Sequence, residues 1–134
     1  LEVFPWPIES DSVEEFYLSH IIEHIRDLVA FFNEMWRCAK PDAKITIIAP
    51  YWASFAAWSD PTHVRAITER SMSYFDATQP NHDRYGIKCN FRMDDLEYGI
   101  LEGSENLEEE VLKQALKHNV NICNILVFHL HAVK

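Results

Sequence analysis

An α/β domain with a sheet of about four strands is the architecture this chain predicts, and two stretches carry that expectation. Between Glu15 and Pro50, the apolar run Phe16, Tyr17 and Leu18 and the β-branched run Ile45 to Ile48 flank a segment with helical periodicity. Apolar runs of this length, bounded by polar residues, suit strands covered on both faces. In the intervening segment Leu28, Phe31, Phe32, Met35, Trp36 and Ala39 recur at three- and four-residue spacing, while Arg26, Asn33, Glu34, Arg37 and Lys40 fall largely on the opposite side. Asp27 is the expected N-cap and Pro41 the stop. Strand, crossover helix and strand make a βαβ unit of right-handed crossover. The second stretch, Val120 to Val133, is the strongest strand pattern in the chain.

The elements between follow in order. Leu1 to Ser12 contains F-P-W-P, whose prolines force an extended loop. Tyr51 to Ser59 is rich in aromatic and small residues and reads as an irregular lid. In D-P-T-H, Asp60 to His63, either Asp60 or Thr62 can cap a helix with Pro61 in its first turn. Thr68 and the run from Arg70 to Phe75 suggest another helix, with Ile67, Met72 and Phe75 inward. Thr78 to Ile87 is a polar loop, and Lys88 to Ile100 a strand or bent ribbon. Asn106 to His118 has helical spacing and ends at Asn119, with Ser104 and Glu105 suiting its first turn.

Composition bounds the function classes. The 134 residues are 48% hydrophobic and 13% aromatic, enough core formers for one folded domain. A net charge of −9, with twenty-one acidic against twelve basic residues, makes a nucleic-acid partner unlikely on electrostatic grounds. No long apolar run and no leader pattern occurs, so the expectation is a cytoplasmic protein with no membrane partner. Cys38, Cys89 and Cys123 are odd in number and widely spaced, which speaks against a disulfide framework or a zinc knuckle and for buried thiols.

The runs S-H-I-I-E-H-I-R-D, F-F-N-E-M-W-R-C-A-K-P, I-T-I-I-A-P-Y-W and S-D-P-T-H-V-R-A-I-T-E-R-S-M-S-Y-F, in that order, resemble the carboxy-terminal half of class I S-adenosylmethionine-dependent methyltransferases. The likeness extends to the methyltransferase-11-like members and covers most of Phe4 to Phe75, continuing more weakly to Lys134. It implies a truncated Rossmann-like, three-layer sandwich with a mixed sheet, whose last strand runs antiparallel between its neighbours. Asp42 and Ala43 stand where the family often has two glycines. The glycine-rich cofactor turn is missing: this chain has only Gly86, Gly99 and Gly103, none opening a helix near the amino terminus.

What the resemblance implies about the site follows residue by residue. S-adenosylmethionine is the family's cofactor. Leu1, Phe4 and Trp6 would lie on its adenine side, the competing structural reading being that these aromatics cover the core. Ser19 and His20 would lie at the carboxyl end of a parallel strand near the methionine part. Methyl transfer is a direct displacement, so the enzyme chiefly aligns acceptor and sulfonium. Should the acceptor lose a proton, His63 is the candidate base, Asp60 its orienting partner and Tyr51 a second polar candidate. The competing structural reading makes Asp60 a cap and His63 a packed side chain.

Two metal patterns compete with that assignment. His20, Glu23 and His24 spell H-x-x-E-H, the inverted zinc-protease signature, for which Glu97 or Glu102 is the nominal third ligand. The strand directly before His20 speaks against it, and His24 can equally be hydrogen-bonded at a helix start. His129 and His131 share one strand face, where a solvated sheet surface is the plainer reading. No metal is therefore expected. The functions in play are a methyltransferase inactive without its other half, a noncatalytic binding or assembly module, and a zinc hydrolase. The edge of the Glu15 to Ser19 strand would ordinarily pair with the absent half, so self-association or a completing chain is expected there.

Overall fold

The computed structural model describes residues 2–80 and 82–134. Four strands form one mixed sheet: β1 (Val13–Ser19), β2 (Ala39–Pro50), β3 (Phe91–Ile100) and β4 (Cys123–Ala132), in the order β1-β2-β4-β3. β1 and β2 are parallel, Phe16 opposite Ile45 and Leu18 opposite Ile47. β4 is antiparallel to both β2 and β3, with Ile47 opposite Phe128 and Leu96 opposite Phe128 from the other side. The last strand thus lies inside the sheet between its neighbours, as the resemblance implied.

Helix α1 (Leu28–Cys38) makes the crossover between the parallel strands. Asp27 caps it, its carboxylate accepting from the Ala30 amide at 2.9 Å. The chain leaves the helix at Ala39, two residues ahead of Pro41, and passes through Asp42 at φ 60°. That left-handed position is tolerated by aspartate and explains why the β1–β2 register slips between Val13 and Glu15.

The core occupies one face of the sheet. Leu18, Ile45, Ile47, Leu126, Phe128 and Leu130 pack there against Phe31, Phe32 and Met35 of α1. Phe32 stacks on Phe75 at 4.1 Å between centroids and meets Phe91 edge-on at 5.8 Å. Alternate residues on the other face, such as Thr46 and Val127, are half-buried and Tyr17 is exposed. The three cysteines are free and buried. Burial raises the Cys38 thiol above its ordinary range and pushes Cys123 to about 11 and Cys89 to about 12, so all three are weak nucleophiles.

Several local expectations are corrected. Tyr51 to Ser59 is not irregular throughout, because Ser54 caps a short helix α2 (Phe55–Ser59). No helix starts at Asp60. Its carboxylate bonds the Thr62 amide at 2.8 Å and the Thr62 hydroxyl at 2.6 Å, closing a tight turn on itself. The run to Phe75 is a 3-10 helix, Ser71–Phe75. Helix α3 (Glu109–His118) begins after Ser104 and Glu105, with Glu109 and Glu110 in its first turn, and Asn119 caps its end. Among the described residues no helix is long and apolar enough to cross a membrane.

Candidate functional site at the strand ends

The parallel strands β1 and β2 end side by side, and their carboxyl ends open into a cleft of about 530 Å³. Open α/β sheets place ligands at such ends. β1 terminates at Ser19, and the His20 amide still donates to the Ile48 carbonyl at 2.9 Å. His20 then takes φ 55°, a left-handed conformation that costs an ordinary side chain about 1 kcal/mol or more. This bend swings residues 20–24 across the strand ends. The segment is a turn, not a helix, so H-x-x-E-H lacks the helical spacing of the protease signature.

Across the cleft lies the turn at Asp60. The Val64 amide donates to the Glu23 carbonyl at 2.9 Å, and the Arg65 guanidinium donates to the carbonyls of Ile25 and Arg26. These bonds join two segments about forty residues apart. Arg65 is thereby a structural clamp.

The joint brings His24 and His63 together, with ring centroids 4.7 Å apart. Their hydrogen bonds fix both tautomers. His63 Nδ1 lies 2.9 Å from the Ala57 carbonyl oxygen, which only accepts, so Nδ1 carries the proton. His24 Nδ1 lies 3.0 Å from Thr62 Oγ1. That hydroxyl gives its proton to Asp60, and therefore accepts from His24 Nδ1. The Thr62 bonds hold the Asp60 carboxyl below its ordinary value, which keeps the acceptor ionised. In the neutral rings, both Nε2 atoms consequently present a lone pair.

Glu23, beside the two histidines, is only 1% exposed. Neither of its carboxylate oxygens accepts a hydrogen bond from any described residue. Its Oε1 lies 3.3 Å from His20 Nδ1, near enough for an ion pair when that imidazole is protonated but misaligned for a hydrogen bond. One ligand atom each from Glu23, His24 and His63 lies within 4.8 Å of the others.

Of the residues assigned from sequence, His20, Asp60 and His63 line the cleft, while Ser19 ends the strand beside it. Asp60 does not hydrogen-bond His63: the nearest approach is 3.9 Å, and Asp60 instead orients His24 through Thr62. Tyr51 is turned away. Its hydroxyl donates to Glu69 at 2.8 Å, and burial with that neighbour raises its pKa far above the ordinary value. Leu1 lies outside the described residues. Phe4 and Trp6 pack near α1, with Trp6 edge-on to Phe31 at 5.4 Å and its amide bonded to Glu34 at 2.7 Å. Arg37 pins the same loop through Ser10 and the Ile8 carbonyl.

The nominal third ligands are elsewhere. Glu97 bonds His129 at 2.8 Å across the sheet, and Asp94 bonds His131 at 2.7 Å. Sequence reasoning met Glu23 only within the H-x-x-E-H pattern, which it set aside, and assigned no role to Ala57. A buried glutamate inside a histidine-rich turn was the available signal, but its burial is invisible without the packing of Val64 and Arg65.

No family model and no curated protein matches the chain, so the methyltransferase-11-like branch is without support. Solved structures do match. A SAM-dependent methyltransferase from Archaeoglobus fulgidus superposes with TM-score 0.61 at 14% identity, over 92% of this chain and 61% of that one. The YcgJ protein from Bacillus subtilis superposes with TM-score 0.59 at 11% identity, over 97% of this chain and 68% of that one. Likeness at such identity establishes the fold, and the fold is that of class I methyltransferases. The chain spans about three fifths of the first of these structures.

Proposed function

We propose that the chain serves S-adenosylmethionine-dependent methyl transfer and supplies the acceptor side of the reaction centre. The observation that carries this reading is the cleft at the carboxyl ends of β1 and β2, in a fold shared with a SAM-dependent methyltransferase. His20 and Ser19 stand where the methionine part of the cofactor would approach. His63, with Nε2 unprotonated, takes a proton from an acceptor that must lose one. The acceptor is a small molecule or a protein side chain, in keeping with the net charge of −9.

The cofactor side needs further chain, and the edge of β1 is where it would add. Tyr17 is 68% exposed there, beside an apolar groove of about 530 Å³ whose lining includes Val3, Trp6, Phe16, Ile21 and Phe31. A second copy or a completing chain pairs with the Glu15 to Ser19 edge and covers this groove, leaving the chain inactive alone. In that assembly Phe4 and Trp6 line the adenine side.

Calorimetric titration with S-adenosylmethionine and S-adenosylhomocysteine, across chain concentrations that span association, tests the reading. Micromolar binding, about −8 kcal/mol, is the expected result. A folded chain that binds neither compound at any concentration overturns it. The noncatalytic assembly module, favoured by the same open edge and groove, would then remain.

A further inference from the structure

We infer that Glu23, His24 and His63 form a binding site for one divalent transition-metal ion at the mouth of the strand-end cleft. The sequence expectation was no metal, and three independent features of the site argue otherwise. Glu23 is 1% exposed and both carboxylate oxygens lack hydrogen-bond donors among the described residues. A buried carboxylate in that state costs several kcal/mol unless a cation or a proton neutralises it. No described cation hydrogen-bonds it: Arg65, on the same joint, donates through Nη2 to the Ile25 and Arg26 carbonyls, and its Nε is buried with no acceptor among the described residues. His20, 3.3 Å away, is half exposed.

The second feature is the pair of fixed tautomers. His24 and His63 each commit Nδ1–H to an outer partner, Thr62 and Ala57, which leaves each neutral ring a bare Nε2 as its ligand atom, that of His63 lying 3.9 Å from Asp60 Oδ2. Metal-bound imidazoles are held in this way, with the second nitrogen donating to a hydroxyl, carboxylate or carbonyl. Asp60 extends one arm, accepting from Thr62 so that the hydroxyl must receive the His24 proton. Structural packing alone needs no such agreement between two rings.

The third feature is distance. One ligand atom from each of the three residues lies within 4.8 Å of the other two. Bonds of about 2.1 Å separate ligands by about 3.4 Å in a tetrahedral shell, so the ion draws the side chains inward by about an ångström. Two imidazoles and one carboxylate suit Zn2+, Co2+ or Fe2+ and disfavour Mg2+ and Ca2+, which take oxygen ligands. Three protein ligands leave at least one position open. His20 or a ligand in the cleft completes the shell.

The site does not depend on the methyl-transfer reading, although a bound ion would occupy the His63 Nε2 that acts as base there, and its test needs no S-adenosylmethionine. The chelator-treated chain is titrated with Co2+ and with Zn2+, following the visible absorption of Co2+ and the heat of Zn2+ binding. One equivalent binding at micromolar concentration or tighter is expected. Glu23→Gln and His63→Ala should each weaken it by at least 10-fold, while the double variant His129→Ala, His131→Ala should leave it within 3-fold of the parent. His24→Ala replaces Glu23→Gln should that variant fail to fold, as judged by circular dichroism. A parent chain that binds neither ion overturns the proposal. So does binding that survives all three site variants or disappears with His129 and His131.

Discussion

The chain holds two groups of histidines and acids, and their chemistry differs although their residue types are alike. On the open face of the sheet, His129 pairs with Glu97 and His131 with Asp94, each imidazole meeting its own carboxylate across β3 and β4. These are closed pairs at a partly solvated surface, and exposed pairs of this kind contribute about 0–1 kcal/mol. At the strand ends the pairing is reversed. The exposed carboxylate of Asp60 accepts two hydrogen bonds through Oδ1, whereas the buried carboxylate of Glu23 has no donor among the described residues. The nitrogen–oxygen contacts that close the sheet-face pairs are, at the cleft, directed outward to Thr62 and Ala57. What makes a site is therefore the direction of the hydrogen bonds and the burial of the acceptor, rather than the count of ligand-type side chains.

Both groups rest on one core, and the largest expected effect tests that dependence. Phe32→Ala removes a ring buried against Phe75 and Phe91 and should cost about 3–5 kcal/mol. Urea unfolding followed by Trp fluorescence should show a single shifted transition; a split transition would mean the two regions unfold independently.

The contrast itself is sharpened by replacing one carboxylate in each region. Glu23→Met should stabilise the metal-stripped chain by about 1–3 kcal/mol, because a buried carboxyl group with no donor among the described residues is exchanged for apolar volume. The check is the urea midpoint at unchanged slope, and a lower midpoint would show that Glu23 has a compensating partner. Adding Zn2+ should stabilise the parent and not the variant.

The hydroxyl relay gives a smaller, pH-dependent effect. Asp60 titrates below its ordinary 3.8 because Thr62 hydrogen-bonds its ionised form. A folded-state value depressed in this way contributes stability above the unfolded pKa, and the contribution is lost as pH falls through the folded one. Thr62→Val should therefore raise the Asp60 carboxyl titration, read by carbon NMR, toward 3.8. An unmoved midpoint would remove the relay from His24. The smallest effect belongs to the sheet face, where Glu97→Gln should change stability by less than about 0.5 kcal/mol.

Much of the scaffold was legible because it follows local rules. The spacing of Phe31, Phe32, Met35 and Trp36, the cap at Asp27 and the β-branched run at Ile45 to Ile48 foretell β1, α1 and β2. The alternating pattern around Leu126, Phe128 and Leu130 foretells β4. Its place inside the sheet came from the resemblance, since periodicity carries no strand order. The turn at Asp60 was misread as a helix start because one aspartate serves equally as an N-cap or as the head of a closed turn. The site was legible only in part. His20, Asp60 and His63 could be named, but the bond attributed to Asp60 and His63 runs instead from Asp60 through Thr62 to His24.

By itself, then, the sequence determined the βαβ unit, the strong final strand, the buried thiols and the acidic surface, all consequences of neighbours within a few residues along the chain. Only the tertiary structure decided that residue 24 faces residue 63. The contact depends on the left-handed bend at His20, the Val64–Glu23 backbone bond and the Arg65 clamp. Those are long-range contacts, in which a residue's partner is set by where the sheet ends and not by its neighbours in sequence. The burial of Glu23 beside the two histidines is a result of that closure.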